Sequence, residues 1–218
     1  MAQKRYKTAT KKESRTKIKT VTKKKRRKIK FTHILFWGIV LCLGWLQIIH
    51  LGNQTQNPAT GIENHQKEAF IKKVATVAKS EQRRSHVLAS ITIAQAALES
   101  DWGKSELATK YNNLFGVKAE PNQRGEYMTT KEYVNGQWIT VSARFMVYDS
   151  WNESIQAHTQ LLVNGTTWNH SHYAAVIQAK NYQEAAQALQ EKGYATDPQY
   201  AQKLINLIKA YHLDRYDY

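Results

Sequence analysis

The chain predicts an α+β fold that is mostly α, a helical lobe with a small β-hairpin lobe, preceded by one transmembrane helix. Three observations predict it. Apolar residues recur at i, i+3, i+4 spacing before and after a central segment. That segment holds two runs rich in β-branched and aromatic residues around Asn135-Gly136, the strongest short hairpin signal. Finally, Phe31 to Leu51 contains no Asp, Glu, Lys or Arg, and about 20 apolar residues at ~1.5 Å rise cover a hydrocarbon core ~30 Å thick.

Charge is concentrated at the N-terminus. Residues 1–30 hold 15 of the 32 Lys and Arg against one acid, Glu13, so this tail carries +14 of the formal +15. The remainder holds 17 basic and 16 acidic residues. A nucleic-acid-binding domain carries its basic patch on the folded part, so this distribution argues against nucleic acid. The tail instead sets topology. By the positive-inside rule KKKRRKIK faces the cytoplasm and everything after Gly52 faces outward, with Trp37 and Trp45 packing or lying toward the interfaces. Lys and Arg within residues 23–30 are also placed to meet anionic inner-leaflet lipid. A cleaved signal peptide would need a shorter apolar core and a small-x-small site, which LGNQTQNPATG does not offer. An uncleaved single-pass anchor in the cell membrane is therefore expected. Cys42, the only cysteine, lies inside the span, so an exported domain here must hold together by packing rather than disulfides.

Residues 52–62 read as a polar linker with Gly and Pro, and residues 63–218 as the one folded domain. The first helix carries Ala69, Phe70, Val74, Val77 and Ala78 and leads into the charged patch Glu81 to Arg84. In the second, Val87, Leu88, Ile91, Ala94, Gln95 and Leu98 run into Glu99, with a break near Gly103. Tyr127–Val134 and Trp138–Tyr148 are the hairpin strands. Helical spacing returns over Trp151–Val163, Tyr173–Ala179, Tyr182–Glu191 closed by Gly193, and Pro198–Tyr211, the last with Asp197 as N-cap and Pro198 in the first helical position.

Glu99 is the residue with chemistry to offer. A carboxyl in the last turn of an apolar helix meets the negative end of the helix dipole, and Leu98 and Trp102 beside it disfavour ionisation. Both effects raise its pKa toward the value a general acid needs near neutral pH.

Three segments, AQAALESDWGKS, KYNNLFGVK and GYATDPQYAQKL, occur in that order between Glu63 and Tyr216. Together they resemble the glucosaminidase family of bacterial autolysins and flagellar wall hydrolases, glycoside hydrolase family 73. The resemblance implies a lysozyme-like fold and an endo-β-N-acetylglucosaminidase that cleaves peptidoglycan glycan strands after N-acetylglucosamine, with Glu99 as general acid. Glycoside hydrolysis generally uses a second carboxyl group. The candidates are Glu126 and Glu132 on the first strand, and Glu132 matches the position of the family's hairpin glutamate. Tyr194 matches the tyrosine of the third motif, where a phenol facing the cleft can stack on a sugar and bond its acetamido group. Asn112, Asn113, Phe115 and Gly116 look like the loop lining the cleft floor, while Trp102, Tyr148 and Trp151 are candidate sugar platforms.

A carboxyl separation of ~6.5 to 9.5 Å implies inversion and ~5 to 5.5 Å a glycosyl-enzyme intermediate, and attack by the substrate's own N-acetyl group is a third route. The sequence leaves these open. His158, His170, His172 and His212 show no metal-ligand spacing with acidic companions apart from the close pair His170-Ser-His172, which reads as loop, and no metal or cofactor is expected. The outward topology and the resemblance together place the domain at a Gram-positive wall. A muramidase or lytic transglycosylase of lysozyme-like fold is the enzymatic alternative, and a non-catalytic wall-binding protein the alternative of another class.

Overall fold

The computed structural model describes residues 58–134 and 137–218, without the side chains of residues 58–60, 130–134, 137 and 138. The basic tail, the predicted span Phe31–Leu51 and residues 52–57 lie outside the described residues. Among those described, no helix is long and apolar enough to cross a membrane.

Helix α1 spans Pro58–Ser85, so residues 58–62, read as linker, form its first turns. Proline is tolerated there because a first-turn N–H has no helical partner. Phe70, Ile71, Val74, Ala75 and Ala78 form its buried stripe. Helix α2, Ala89–Ser100, is the centre of the domain, with every residue but Leu98 buried. A helix buried nearly all round must be wrapped by others, and α1, α6 (Tyr182–Glu191), α7 (Tyr200–Tyr211) and a closing 3-10 turn at Leu213–Tyr216 pack on it.

Burying α2 leaves its first N–H groups without water, so they need protein partners. Gln82 Oε1 accepts from Ala89 N at 2.6 Å. Asp217, at the far end of the chain, accepts from Ser90 N at 2.7 Å and from Ser90 Oγ at 2.7 Å.

The other end of α2 turns sharply. Asp101 (φ 49°), Trp102 (φ 57°) and Gly103 (φ 78°) are all left-handed. Ser100 Oγ closes the turn, accepting from Gly103 N at 2.7 Å while donating to Ala96 O at 2.5 Å. Gly103 is required for its φ and for space, since a Cβ there would lie 2.5 Å from the Trp151 ring.

A short helix, α3 (Glu106–Tyr111), stands between this turn and the KYNNLFGVK loop, capped by Ser105 Oγ accepting from Ala108 N at 3.2 Å. The sequence pattern, which shows only a break near Gly103, gives no sign of this helix. Strands β1 (Gly125–Val134) and β2 (Gln137–Met146) pair antiparallel from Gly125↔Met146 to Val134↔Gln137, on either side of Asn135-Gly136. The second strand stops short of the predicted Tyr148, because Val147 N turns to Arg124 O and Tyr148 N to Tyr111 O. The hairpin base is stitched to the segment after α3 by Ala119 N to Arg144 O and Met146 N to Val117 O, each 2.9 Å.

Helices α4 (Trp151–Asn164), α5 (Ala174–Ile177), α6 (Tyr182–Glu191) and α7 (Tyr200–Tyr211) complete the domain. Ser150 and Asn181 cap α4 and α6 by accepting from Glu153 N and Glu184 N. One expectation is corrected. Asp197 does not cap α7 and Pro198 does not begin it. Asp197 Oδ1 accepts from Gln199 N at 2.8 Å and Asp197 O from Tyr200 N at 3.1 Å, a separate turn that delays the helix to Tyr200. That delay puts Tyr200 at the mouth of α7, beside the last turn of α2.

Candidate active site

Glu99 lies in the last turn of α2, 5% exposed. The Tyr200 hydroxyl donates to Glu99 Oε1 at 2.9 Å. Its oxygen in turn accepts from Gln95 Nε2 at 2.9 Å. Gln95 sits one helical turn before Glu99 on the same face, as i and i+4 residues do. The amide N–H donates only, so the phenol proton has one place to go, and Tyr200 is a fixed donor to Glu99. Glu99 Oε2 has no hydrogen-bond partner among the described residues.

These contacts oppose one another. Burial raises the Glu99 pKa to about 8, outweighing the Tyr200 hydrogen bond and the Lys203 charge, which both favour the anion. Lys203 is itself paired with Asp197 at 2.6 Å. At neutral pH the carboxyl is predominantly protonated. Since Oε1 accepts from Tyr200, the proton belongs on Oε2, the oxygen without a partner among the described residues. That is the arrangement of a general acid: a proton held near neutrality on an oxygen without a partner among the described residues.

Behind Tyr200 stands an aromatic stack. Tyr194 lies nearly parallel to Tyr200 with centroids 5.8 Å apart, and meets Tyr173 and His158 edge-on. Tyr194 is fully buried, and burial, then the Glu99 charge, holds its phenol well above the ordinary value. Tyr194, expected at the cleft, is closed off from solvent in this structure. It braces Tyr200, and Tyr200 makes the contact with the acid. His158 stacks on Phe115 at 3.9 Å and is pushed down to about 3 by burial alone.

A model of the Glucosaminidase family, described as mannosyl-glycoprotein endo-beta-N-acetylglucosaminidase, matches residues 75–213. The chain belongs to the glucosaminidase family. It is 49% identical over 157 residues to the exo-glucosaminidase LytG of Bacillus subtilis, covering 71% of this chain and 55% of that protein. A probable N-acetylmuramidase of Lactococcus lactis subsp. cremoris is 39% identical over 186 residues, 84% of this chain and 42% of the relative. Among solved structures, the catalytic domain of the autolysin Auto from Listeria monocytogenes superposes with a TM-score of 0.64 at 34% identity, covering 76% of this chain and all of that one. The chain thus spans about half the length of these curated relatives, and the mostly helical body with its two-stranded sheet fits the lysozyme-like glucosaminidase fold.

Within that fold the sequence-predicted residues divide. Glu132 lies opposite Ile139 in the outer half of the hairpin, and Glu126 at its base opposite Phe145; the Glu132 side chain lies outside those described. Asn113 is buried and saturated. Its Nδ2 donates to Val117 O and Met146 O, and its Oδ1 accepts from Val117 N and Phe115 N. Asn112, left-handed at φ 53°, donates from Nδ2 to Tyr148 O at 3.0 Å. Phe115 is fully buried and Tyr148 nearly so. Asn112 and Asn113 thereby knot the loop to the hairpin base, and both side-chain polar atoms of Asn113 are taken by backbone. Gly116 is left-handed at φ 63° with open space where a Cβ would stand, so it serves the turn rather than a close approach. Trp102 packs edge-on to Phe70 and Tyr211 with the Lys67 ammonium 5.4 Å from its centroid. Trp151 packs on Phe70 and donates from Nε1 to Ala108 O at 3.0 Å. Both behave as clamps around the turn after Glu99.

Sequence reasoning missed Tyr200, Gln95 and Lys203. Gln95 carried a usable signal, a polar residue one turn from Glu99 in an apolar helix. Tyr200 sits in the same motif as Tyr194, and nothing in the spacing says which of the two phenols reaches the acid. Among the described residues no three His, Cys, Asp or Glu gather to hold a metal ion.

Proposed function

We propose that this protein is a peptidoglycan hydrolase that cleaves the β-1,4 bond after N-acetylglucosamine within cell-wall glycan strands, with Glu99 donating the proton to the leaving oxygen. One observation carries the reading: the Glu99 carboxyl, held protonated to about pH 8, presents an Oε2 with no partner among the described residues. Tyr200 holds the carboxyl in place and stabilises the carboxylate left after proton transfer. Glu132, matched by resemblance, is the second carboxyl group, acting on water or orienting the substrate's N-acetyl group. With so little of Glu99 exposed, a glycan reaches it only as the groups over the carboxyl give way on binding.

The reading includes a place in the cell. The uncharged stretch Phe31–Leu51 behind a tail of +14 supports a single-pass membrane anchor with the enzyme on the outer, wall-facing side. Tethering raises the local concentration of enzyme at an immobile substrate.

A second reading is favoured by the muramidase relative: cleavage after N-acetylmuramic acid. The test is digestion of purified peptidoglycan by the full chain, wild type beside E99Q, with mass analysis of new reducing ends. N-acetylglucosamine ends from wild type alone support the proposal, and muramic or anhydro-muramic ends replace it with the muramidase or transglycosylase reading. Strands shortened from their ends rather than cut internally mark an exo enzyme like the LytG relative. A folded wild type that binds wall and releases nothing makes it a wall-binding protein.

A further inference from the structure

The loop between α4 and α5 carries Trp168, 58% exposed. A single exposed aromatic residue usually needs no explanation, but this one stands on a built pedestal. Thr166 and Asn169 pair through both backbone bonds, Thr166 N to Asn169 O at 2.9 Å and Asn169 N to Thr166 O at 3.1 Å, so Thr167 and Trp168 form the tip of a closed turn. Thr166 Oγ1 accepts from Asn169 N at 3.1 Å, and Asn169 Oδ1 from Ser171 N at 3.0 Å. Gly165 is left-handed at φ 67°, and a Cβ there would lie 2.6 Å from His170 O, so the turn closes onto the end of α4 only with glycine at this position.

The pedestal is joined to the active-site wall. His172 Nε2 lies 2.8 Å from Lys192 O, immediately before Gly193 and Tyr194. A carbonyl only accepts, so Nε2 carries the proton of this bond. The His172 ring meets Trp168 at 6.4 Å and Tyr173 at 4.7 Å, and Tyr173 meets Tyr194 at 6.1 Å. Trp168 is therefore the exposed end of a chain of rings that runs through Tyr194 and Tyr200 to Glu99.

We infer that Trp168, with His172 beside it, is a distal glycan subsite: the indole stacks on the C–H face of a hexosamine beyond the sugars that flank Glu99. The inference rests on the proposed glycan-hydrolase reading. A flat, rigidly held aromatic ring is the group that meets a pyranose face with least ordering cost, and tryptophan is among the residues enriched at binding hot spots. A long glycan strand gains from this contact, and a fragment too short to span from Glu99 to the loop does not.

The test uses the full chain in detergent with W168A, W168L and W168F, on long peptide-free glycan strands and on the shortest oligosaccharide that is cleaved. The ratio of kcat/KM on long strands to that on the short substrate is expected to fall about tenfold in W168A, through KM. W168L, which keeps apolar bulk without a flat face, falls likewise, and W168F recovers most of the loss. Calorimetric titration of long strands into E99Q and E99Q/W168A is expected to show the same tenfold loss of affinity without turnover. A folded W168A whose length ratio and affinity stay within twofold of the parent overturns the subsite alone. A wild type that neither binds nor cuts either substrate overturns the hydrolase reading and the subsite with it.

Discussion

Tyr200 donates to Glu99 Oε1 at 2.9 Å while its own oxygen accepts from Gln95 Nε2 at 2.9 Å. The direction of this chain is fixed by the amide, which cannot accept through nitrogen. It makes Tyr200 a group that favours the ionised acid, in a site whose burial favours the neutral one.

Removing the donor therefore raises the Glu99 pKa further. In Y200F the basic limb of the activity profile is expected to move up from about 8 by about one pH unit, the worth of a hydrogen bond to a charged group. A limb that moves down, read from kcat/KM against pH, contradicts the assignment of Tyr200 as donor.

Glu99 is a stability liability above acid pH. Its carboxyl is raised from an ordinary value of 4.5 to about 8, so in this range the unfolded chain has released a proton that the folded chain still binds. The group's contribution is fully favourable below 4.5 and is lost as pH rises through 8. E99Q, an isostere of the protonated form, is expected to abolish hydrolysis and to stabilise the fold by on the order of a few kcal/mol at pH 9, with little difference at pH 4. Thermal unfolding at both pH values checks the sign.

His158 contributes in the opposite direction. Burial lowers it from 6.5 to about 3, so between those values the unfolded chain binds the extra proton and stability is lost as pH falls. Both ring nitrogens lack partners among the described residues, so the histidine is worth no hydrogen bond there. H158F keeps the stack on Phe115 and is expected to match wild type at pH 7.5 or exceed it by about 1 kcal/mol, with the advantage growing at pH 4.5. Denaturant midpoints at the two pH values provide the comparison.

Asp217 acts as an N-cap supplied from 127 residues away. D217A leaves Ser90 N buried without its acceptor and is expected to cost about 1 to 2 kcal/mol. S90A, which removes only the hydroxyl contact, costs less. Urea midpoints that rank S90A as the worse variant would falsify the capping role.

Much of the fold was legible because it rests on local pattern. The buried stripe of α1, the strands around Asn135-Gly136 and the whole of α6 follow from period and turn chemistry. Two errors have one cause. Asp197-Pro198 is a textual helix start that the chain uses as a turn, and SELATKY is a capped helix too short for periodicity to show. At that length tertiary contacts outvote propensity.

The candidate site separates in the same way. Sequence by itself determined that Glu99 ends an apolar helix, because that follows from neighbours on the same helix; the burial that raises its pKa comes from the elements packed around it. Sequence also determined the family, through three motifs in order. Only the tertiary structure decided that Tyr200 rather than Tyr194 holds the acid, that Asn113 is consumed by backbone, and that Asp217 caps the helix bearing Glu99. Each of these is a contact between groups far apart in the chain. A motif fixes which side chains are present, but the direction of a hydrogen bond depends on where packing leaves each donor and acceptor once water is gone.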